Sequence, residues 1–337
     1  MKKSKGKFIS SIGEFGLIDF IKKNNTKFDK RHNVIIDVGD DCFCFGTDNS
    51  KKEKFLVTTD ILIEDVHFKT CWASPKQIAQ KAVEANVSDV AAMGNAKPLY
   101  MFISVGIPKQ TTIKFVKELF RNIKLTAEKY SIHIAGGDTV ASEKLTISIT
   151  LIAKSYGKII TRTGAKVNDI ICVTGTLGNS LAGLNILQEK KNKFSNTEKF
   201  LIGKHLVPKA KLDIANLMVK NNIEITSMTD CSDGLLKSVE LLTIDNNKGA
   251  KINLELIPIT KQLKTWLNFD KNKIYQYALG GGEEFELVFT INPACRTKLK
   301  KLIPSVNFIG NVTNLKEVIF FENGKQKQIK INGYKHF

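Results

Sequence analysis

The sequence predicts an α/β protein of two domains, and three observations carry that prediction. The chain has 337 residues, 42% of them hydrophobic, which is enough for two compact cores. Apolar runs of strand length alternate with longer stretches of helical periodicity, as in α/β folds. Hairpin-like neighbours among the strands argue against an all-parallel sheet. Gly157, Gly164 and polar residues interrupt the pattern over 153–168, so the domains are expected at 1–155 and 156–337.

In chain order, a basic lead-in contains Gly13-Glu14-Phe15-Gly16-Leu17-Ile18, a short helical pattern that serves either as an ordered arm or as a flap. Strands near 34–46 and 55–59 follow, joined by the polar loop Thr47–Lys52 as a hairpin. Ser74-Pro75 opens a helix with a capping hydroxyl and a first-turn proline, and Gly94 closes it. Ile78, Ala82, Val83, Ala85, Val87 and Val90 recur at helical spacing, so this helix is buried. Strand Leu99–Val105, helix Thr111–Tyr130 and strands Ile132–Ala135 and Lys144–Ala153 complete the first domain. The second begins with strand Asp169–Thr174 and the turn Gly175-Thr176-Leu177-Gly178-Asn179-Ser180, a weak anion-cradle signal at a helix entry. A helix from Pro208 to Lys220, a strand ending at Asp230, a helix from Ser232 and a strand Phe285–Thr290 after Gly280-Gly281-Gly282 are expected beyond it.

Function is written in the acidic clusters. Val57-Thr58-Thr59-Asp60 reads as a strand that stops on hydroxyls and an Asp. The same design recurs at Ile36-Asp37 leading to Gly39-Asp40-Asp41, at Ala135 leading to Gly136-Gly137-Asp138-Thr139, and at Thr229-Asp230 leading to Ser232-Asp233-Gly234. Converging carboxylates repel and are costly to bury without cations. Hard oxygen ligands from Asp and Thr suit Mg²⁺ bridging substrate phosphates, and neighbouring glycines free backbone N–H groups for phosphate oxygens. One such cluster alone could be a helix cap or a turn. All four in one chain point to a Mg-nucleotide site. Asn86 and Asp89 project from one face of the buried helix, where a carboxylate wants a metal or a bond to its neighbours. Glu283 and Glu284 follow the glycine run and could face a ligand, Arg162 could reach a phosphate from the junction, and His67 either meets a phosphate or bonds within its loop.

Other classes are disfavoured. No window has the length of a membrane span and no secretory core follows Met1-Lys2-Lys3, so a soluble cytoplasmic protein is expected. Six cysteines without a C-x-x-C pair read as small core residues rather than a zinc site or disulfides. The net charge of +18 raises the question of nucleic acid, but only Arg31, Arg121, Arg162 and Arg296 supply guanidinium forks and the lysines are dispersed. No nucleic-acid partner is expected. A nucleotide enzyme here uses neither a P-loop nor a kinase H-R-D loop, since both are absent.

The ordered set Gly39-Asp40-Asp41, Thr58-Thr59-Asp60, Val66-His67-Phe68, Asn86-Val87-Ser88-Asp89 through Met93-Gly94, Gly136-Gly137-Asp138-Thr139, Ser232-Asp233-Gly234-Leu235 and Gly281-Gly282-Glu283 closely resembles the thiamine-monophosphate kinases. The likeness runs nearly end to end, from Gly13-Glu14-Phe15 to Gly333-Tyr334-Lys335-His336-Phe337. The resemblance implies the two-domain α/β PurM-like fold of the aminoimidazole ribonucleotide synthetase superfamily, in which N-terminal domains pair into a dimeric β-barrel. It also implies transfer of the γ-phosphoryl group of ATP to thiamine monophosphate, with several Mg²⁺ ions. Asp41, Thr58, Thr59, Asp60, Asp89, Asp138, Asp230 and Asp233 would then hold the metal, with Asp60, Asp89 and Asp230 central to the chemistry. Gly137, Asp138, Arg162, Ser232 and Phe120 would meet ATP, and His67, Glu283 and Tyr334 the thiamine phosphate. Glu284 stands where the family commonly has Asp, Phe120 where it has Tyr, Asp65 where it has Gly, and Cys42-Phe43-Cys44 where it has small or aliphatic residues. None of these removes an expected metal ligand. Selenophosphate synthetase and the hydrogenase-maturation relative use reactive cysteines near their termini, and this sequence has none there.

Overall fold

Strands buried on both faces read as unbroken apolar runs, and strands with one wet face alternate. Both kinds occur in the computed structural model, which describes residues 13–24, 33–47, 53–189, 191 and 193–331. The first half comprises α1 (Gly13–Asn24), β1 (Val34–Ile36), β2 (Phe43–Gly46), β3 (Lys54–Ile63), α2 (Pro75–Ala92), β4 (Gly94–Ile107), α3 (Ile113–Lys129), β5 (His133–Ala141) and β6 (Thr146–Ile159). Among the described residues its strands form a six-stranded sheet in the order β1-β2-β3-β6-β4-β5. β2 and β3 are the antiparallel hairpin expected from sequence, while α3 connects β4 to the parallel strand β5. A mixed sheet results.

Helix α2 lies at the centre of the molecule. Ser74 and Gln77 close a capping box over its first turn, Pro75 occupies the start, and Gly94 follows its end at φ +97°. Val87 and Val90 share one core with Ile147 and Ile149 of β6 and with strands of the second half.

The second half comprises β7 (Ile170–Val173), α4 (Asn179–Gln188), α5 (Asn196–Leu206), α6 (Leu212–Lys220), β8 (Ile225–Asp230), α7 (Leu235–Thr243), β9 (Gly249–Asn253), α8 (Lys261–Trp266), α9 (Lys271–Gly280), β10 (Leu287–Ile291), α10 (Arg296–Leu302), β11 (Asn307–Thr313), β12 (Val318–Glu322) and β13 (Lys325–Lys327). Its seven described strands order as β13-β12-β9-β11-β7-β10-β8, antiparallel except for β9 with β12. Cys172, Leu287 and Phe289 face the core shared with α2, whereas Ile171, Val173 and Val288 face a second core with α4, α7 and α9. Period two therefore divides these strands between two cores.

Three local expectations are corrected. The strand expected to stop at Asp60 continues to Ile63, because its pairing with β6 runs from Lys54↔Ser155 to Ile63↔Thr146. Threonines suit a strand as well as a strand end. The run Gly136-Gly137-Asp138-Thr139 likewise lies inside β5, an edge strand, where a Cβ on Gly137 would fall 1.8 Å from the Ile103 carbonyl oxygen. Helix α5, with its Ser195–Glu198 capping box, is additional to the sequence reading. All six cysteines are free, but Cys71 is exposed rather than a core residue. No helix among the described residues is long and apolar enough to cross a membrane.

Candidate active site

Three carboxylates from distant parts of the chain meet beside α2. Asp41 comes from the turn before β2, Asp89 from the last turns of α2 and Asp230 from the end of β8, and each offers an oxygen within 4.8 Å of the others. Asp41 Oδ1 accepts from the Arg162 guanidinium at 2.7 Å and from Thr229 Oγ1 at 3.0 Å. Asp230 Oδ2 accepts from Ser88 Oγ at 2.7 Å, and Asp89 accepts from the Thr58 hydroxyl. The other oxygens, Asp41 Oδ2 and Asp230 Oδ1, are buried without a hydrogen-bond partner. An orphaned buried carboxylate oxygen is costly, and two facing one cluster fit a hard cation.

The electrostatics agree. Burial, and then the neighbouring Asp233, push Asp60 up to about 6. Burial, and then Asp41, push Asp230 up to about 7. Burial, followed by Asp60, Asp230 and Asp41, raises Asp89 well above the carboxylate range. Three acids destabilised as anions by dehydration and by neighbouring carboxylates are the pattern a bound cation relieves.

A second constellation adjoins the glycine run. Glu283 has φ +56°, and its N–H donates to the Ser232 carbonyl at 2.6 Å. Its Oε2 accepts from Lys81 Nζ at 2.7 Å and lies 3.5 Å from His205 Nδ1. Burial raises the Glu283 carboxyl, but the Lys81 ammonium beside it holds it below its ordinary value. Burial and then Lys81 push His205 down to about 3, so its ring is neutral. The ring of His67 accepts from the Ile63 N–H at Nδ1 at 3.0 Å, which places the proton of the neutral imidazole on Nε2.

Residues 39–154 match the family model of the AIR synthase related protein N-terminal domain, and residues 166–321 match that of its C-terminal domain. The thiamine-monophosphate kinase of Leptospira interrogans is 34% identical over 306 residues, covering 88% of this chain and 92% of the relative. That of Aquifex aeolicus is 34% identical over 339 residues, covering 98% of this chain and 99% of the relative. This chain belongs to the thiamine-monophosphate kinase family. A solved complex of AaThiL with AMPPCP and TMP superposes with a TM-score of 0.84 at 32% identity, over 99% of this chain and all of that one. The fold is thus the two-domain, mixed α/β PurM-like fold of these kinases.

Within this thiamine-monophosphate kinase scaffold the expected residues divide. Asp41, Thr58, Asp60, Asp89 and Asp230 gather around α2, with Arg162 against them. Asp233 is exposed at the start of α7, next to Asp60 electrostatically, and Ser232 lies beside Glu283. Thr59 and Asp138 are not brought to the cluster. Thr59 pairs with Thr150, whose other neighbour is Phe102, and Asp138 pairs with Ser104 on the same outer face, whereas Thr58 and Asp60 face α2. One residue of register decides the side. Phe120 packs on the core from α3. Tyr334 lies outside the described residues.

The anion-cradle expectation at Gly175–Ser180 is corrected by an internal occupant. Ser180 N–H donates to Glu284 Oε1 at 2.9 Å, so Glu284 caps the N-terminus of α4 instead of facing a ligand beside Glu283. Burial pushes Glu284 up to about 8 despite that bond. Sequence reasoning passed over Lys81, Ser88, Thr229 and His205. Lys81 left a legible signal, a lysine at a buried position of an apolar helix, and Ser88 and Thr229 left another, each a hydroxyl next to an Asp of a quoted motif.

Proposed function

We propose that this protein transfers the γ-phosphoryl group of ATP to the phosphate of thiamine monophosphate, giving thiamine diphosphate and ADP. The observation that carries the reading is the cluster of Asp41, Asp89 and Asp230 with two orphaned oxygens. The named relatives support the acceptor, and the AaThiL complex with AMPPCP, an ATP analogue, and TMP supports the pair of substrates.

Asp41, Asp89 and Asp230, with Asp60 and Thr58, would hold Mg²⁺, and family likeness assigns further Mg²⁺ to Asp233 and to Thr59 and Asp138, the last two on the other face of the sheet. Bound there, Mg²⁺ supplies charge neutralisation to the phosphates of donor and acceptor. The chain's own residues position. Arg162, Gly137, Asp138, Ser232 and Phe120 are assigned to ATP, the guanidinium reaching phosphate oxygens from its place beside Asp41. His67, through the proton on Nε2, donates to the acceptor phosphate, with Glu283 and Tyr334 completing the acceptor site. The acceptor phosphate is already an anion, so direct in-line attack needs no strong general base, and no covalent enzyme intermediate is invoked.

The remaining proposals concern organisation. The domains divide at 155/156, between the two family matches. The outer face of the first sheet presents Ile61, Tyr100, Phe102 and Val140, each at least 40% exposed, in one contiguous register. A second copy covering that face would form the homodimeric barrel and enclose Thr59 and Asp138. The protein works in the cytoplasm, without membrane or nucleic acid. The reading is tested by incubating the protein with ATP, thiamine monophosphate and Mg²⁺ and separating the products. Thiamine diphosphate and ADP are expected in equal amounts. A folded, ATP-binding protein that makes no thiamine diphosphate would move the acceptor to another phosphorylated or amide substrate of the superfamily.

A further inference from the structure

A lysine inside an apolar helix is tolerated only when its ammonium is paired. Lys81 is 3% exposed in α2, and its Nζ makes two contacts that join the halves of the chain. It donates to Glu283 Oε2 at 2.7 Å and to the His67 carbonyl oxygen at 2.9 Å. Both partners carry side chains assigned above to the acceptor. Both are also restrained elsewhere: His67 by the Ile63 N–H on its ring, and Glu283 by its N–H on Ser232, its positive φ and His205. Neither half alone fixes the distance between them. Within the core that both halves share, one ammonium touches both loops.

We propose that Lys81 is a positioning residue for acceptor binding, a buried clamp that holds the His67 loop and the Glu283 loop at the separation the thiamine phosphate spans. The inference rests on the assignment of His67 and Glu283 to the acceptor, and it adds a residue that would touch neither substrate. Without the clamp the acceptor must order two loops that it now finds ordered, so the loss should fall on acceptor affinity. The ATP side is reached from Arg162, Ser232 and the aspartates, none of which Lys81 contacts.

The test combines kinetics with hydrogen exchange on the full-length protein, comparing wild type with Lys81→Met and the milder Lys81→Gln. Removing one partner of a buried pair is expected to raise KM for thiamine monophosphate by about tenfold or more, with KM for ATP within about twofold of wild type. Exchange in the segments 63–68 and 281–284 should accelerate together, while that of β6 stays unchanged. Lys81→Gln keeps a donor for the His67 carbonyl and should fall between, and it carries the comparison if Lys81→Met does not fold. Equal rises in both KM values, or no rise in the acceptor's, would overturn the proposal. If wild type does not phosphorylate thiamine monophosphate, the functional reading fails first. Exchange then judges the clamp by itself, and unchanged exchange at both loops in the variants would overturn it.

Discussion

Asp89 shows how much one residue can carry here and how much of it the sequence disclosed. A carboxylate on the apolar face of a predicted buried helix asks for a cation or a hydrogen-bonding neighbour, and the structure supplies Asp41 and Asp230 within ligand distance. Asp89→Asn keeps the shape and the Thr58 contact while removing a charge, so the protein should remain folded and lose at least about a hundredfold in kcat, read by a product assay with saturating Mg²⁺. Near-normal turnover would sink the metal assignment. What stayed hidden at this scale were the neutral supports. Ser88 and Thr229 bond Asp230 and Asp41, but each stands in sequence beside a different acid, Asp89 and Asp230, and nothing there betrays a partner 142 or 188 residues away. Glu284 was misread for a related reason: adjacent glutamates look equivalent in sequence, and only the fold turns one toward Lys81 and the other onto the start of α4.

At the scale of elements, α2 was legible from Ser74-Pro75 to Gly94 because capping chemistry and helical spacing agree over its whole length. Ser74→Ala removes the hydroxyl that accepts from the Gln77 N–H, while the backbone N–H at position 74 keeps its bond to the Gln77 side chain, and should cost about 1 kcal/mol of stability by denaturant titration. The acceptor loop begins only a few residues upstream, so an accompanying rise in acceptor KM would show that the start of α2 also seats His67. The ends of β3 and β5 were not legible. Polar residues in Thr58-Thr59-Asp60 and Gly136-Gly137-Asp138 look like loop chemistry, yet β6 and β4 continue beside them and satisfy their backbones. Gly137 is held to glycine by that pairing, so Gly137→Ala should destabilise the protein by forcing β5 from β4, seen as a lower Tm with or without nucleotide. A variant as stable as wild type would mean that β5 has room that the Ile103 carbonyl denies it. Helix α5 was overlooked because it has no clear apolar stripe: its buried residues, Leu201, His205 and Leu206, fall only in its second half, behind a lysine-rich run.

For the whole molecule, the fold class, the two-part architecture and the family were all legible, since they rest on patterns summed over many residues. The division of Thr58 and Asp60 from Thr59 and Asp138 between the two faces of the first sheet was not, because register is a tertiary property. The same acids make stability respond to pH in a defined sense. Asp60, Asp230 and Glu284 have folded-state values of about 6, 7 and 8, above the ordinary 3.8 and 4.5. The folded state therefore holds protons that the unfolded state has released, and the stability these groups contribute is lost as pH rises from about 4 through about 8. Mg²⁺ binds only the deprotonated cluster, so the rise in Tm between chelator and Mg²⁺ should be larger at about pH 8 than at about pH 5.5. An equal rise at both would separate the cation from these carboxylates. The central claim, that the Asp41–Asp89–Asp230 cluster holds the Mg²⁺ used to phosphorylate thiamine monophosphate, is tested most directly by titrating Mg²⁺ into ATP and thiamine monophosphate and following thiamine diphosphate with wild type and Asp230→Asn. The account predicts a saturating Mg²⁺ dependence in wild type and a loss in the folded variant that added Mg²⁺ does not restore. Metal-independent product formation, or a variant with the wild-type curve, would contradict it.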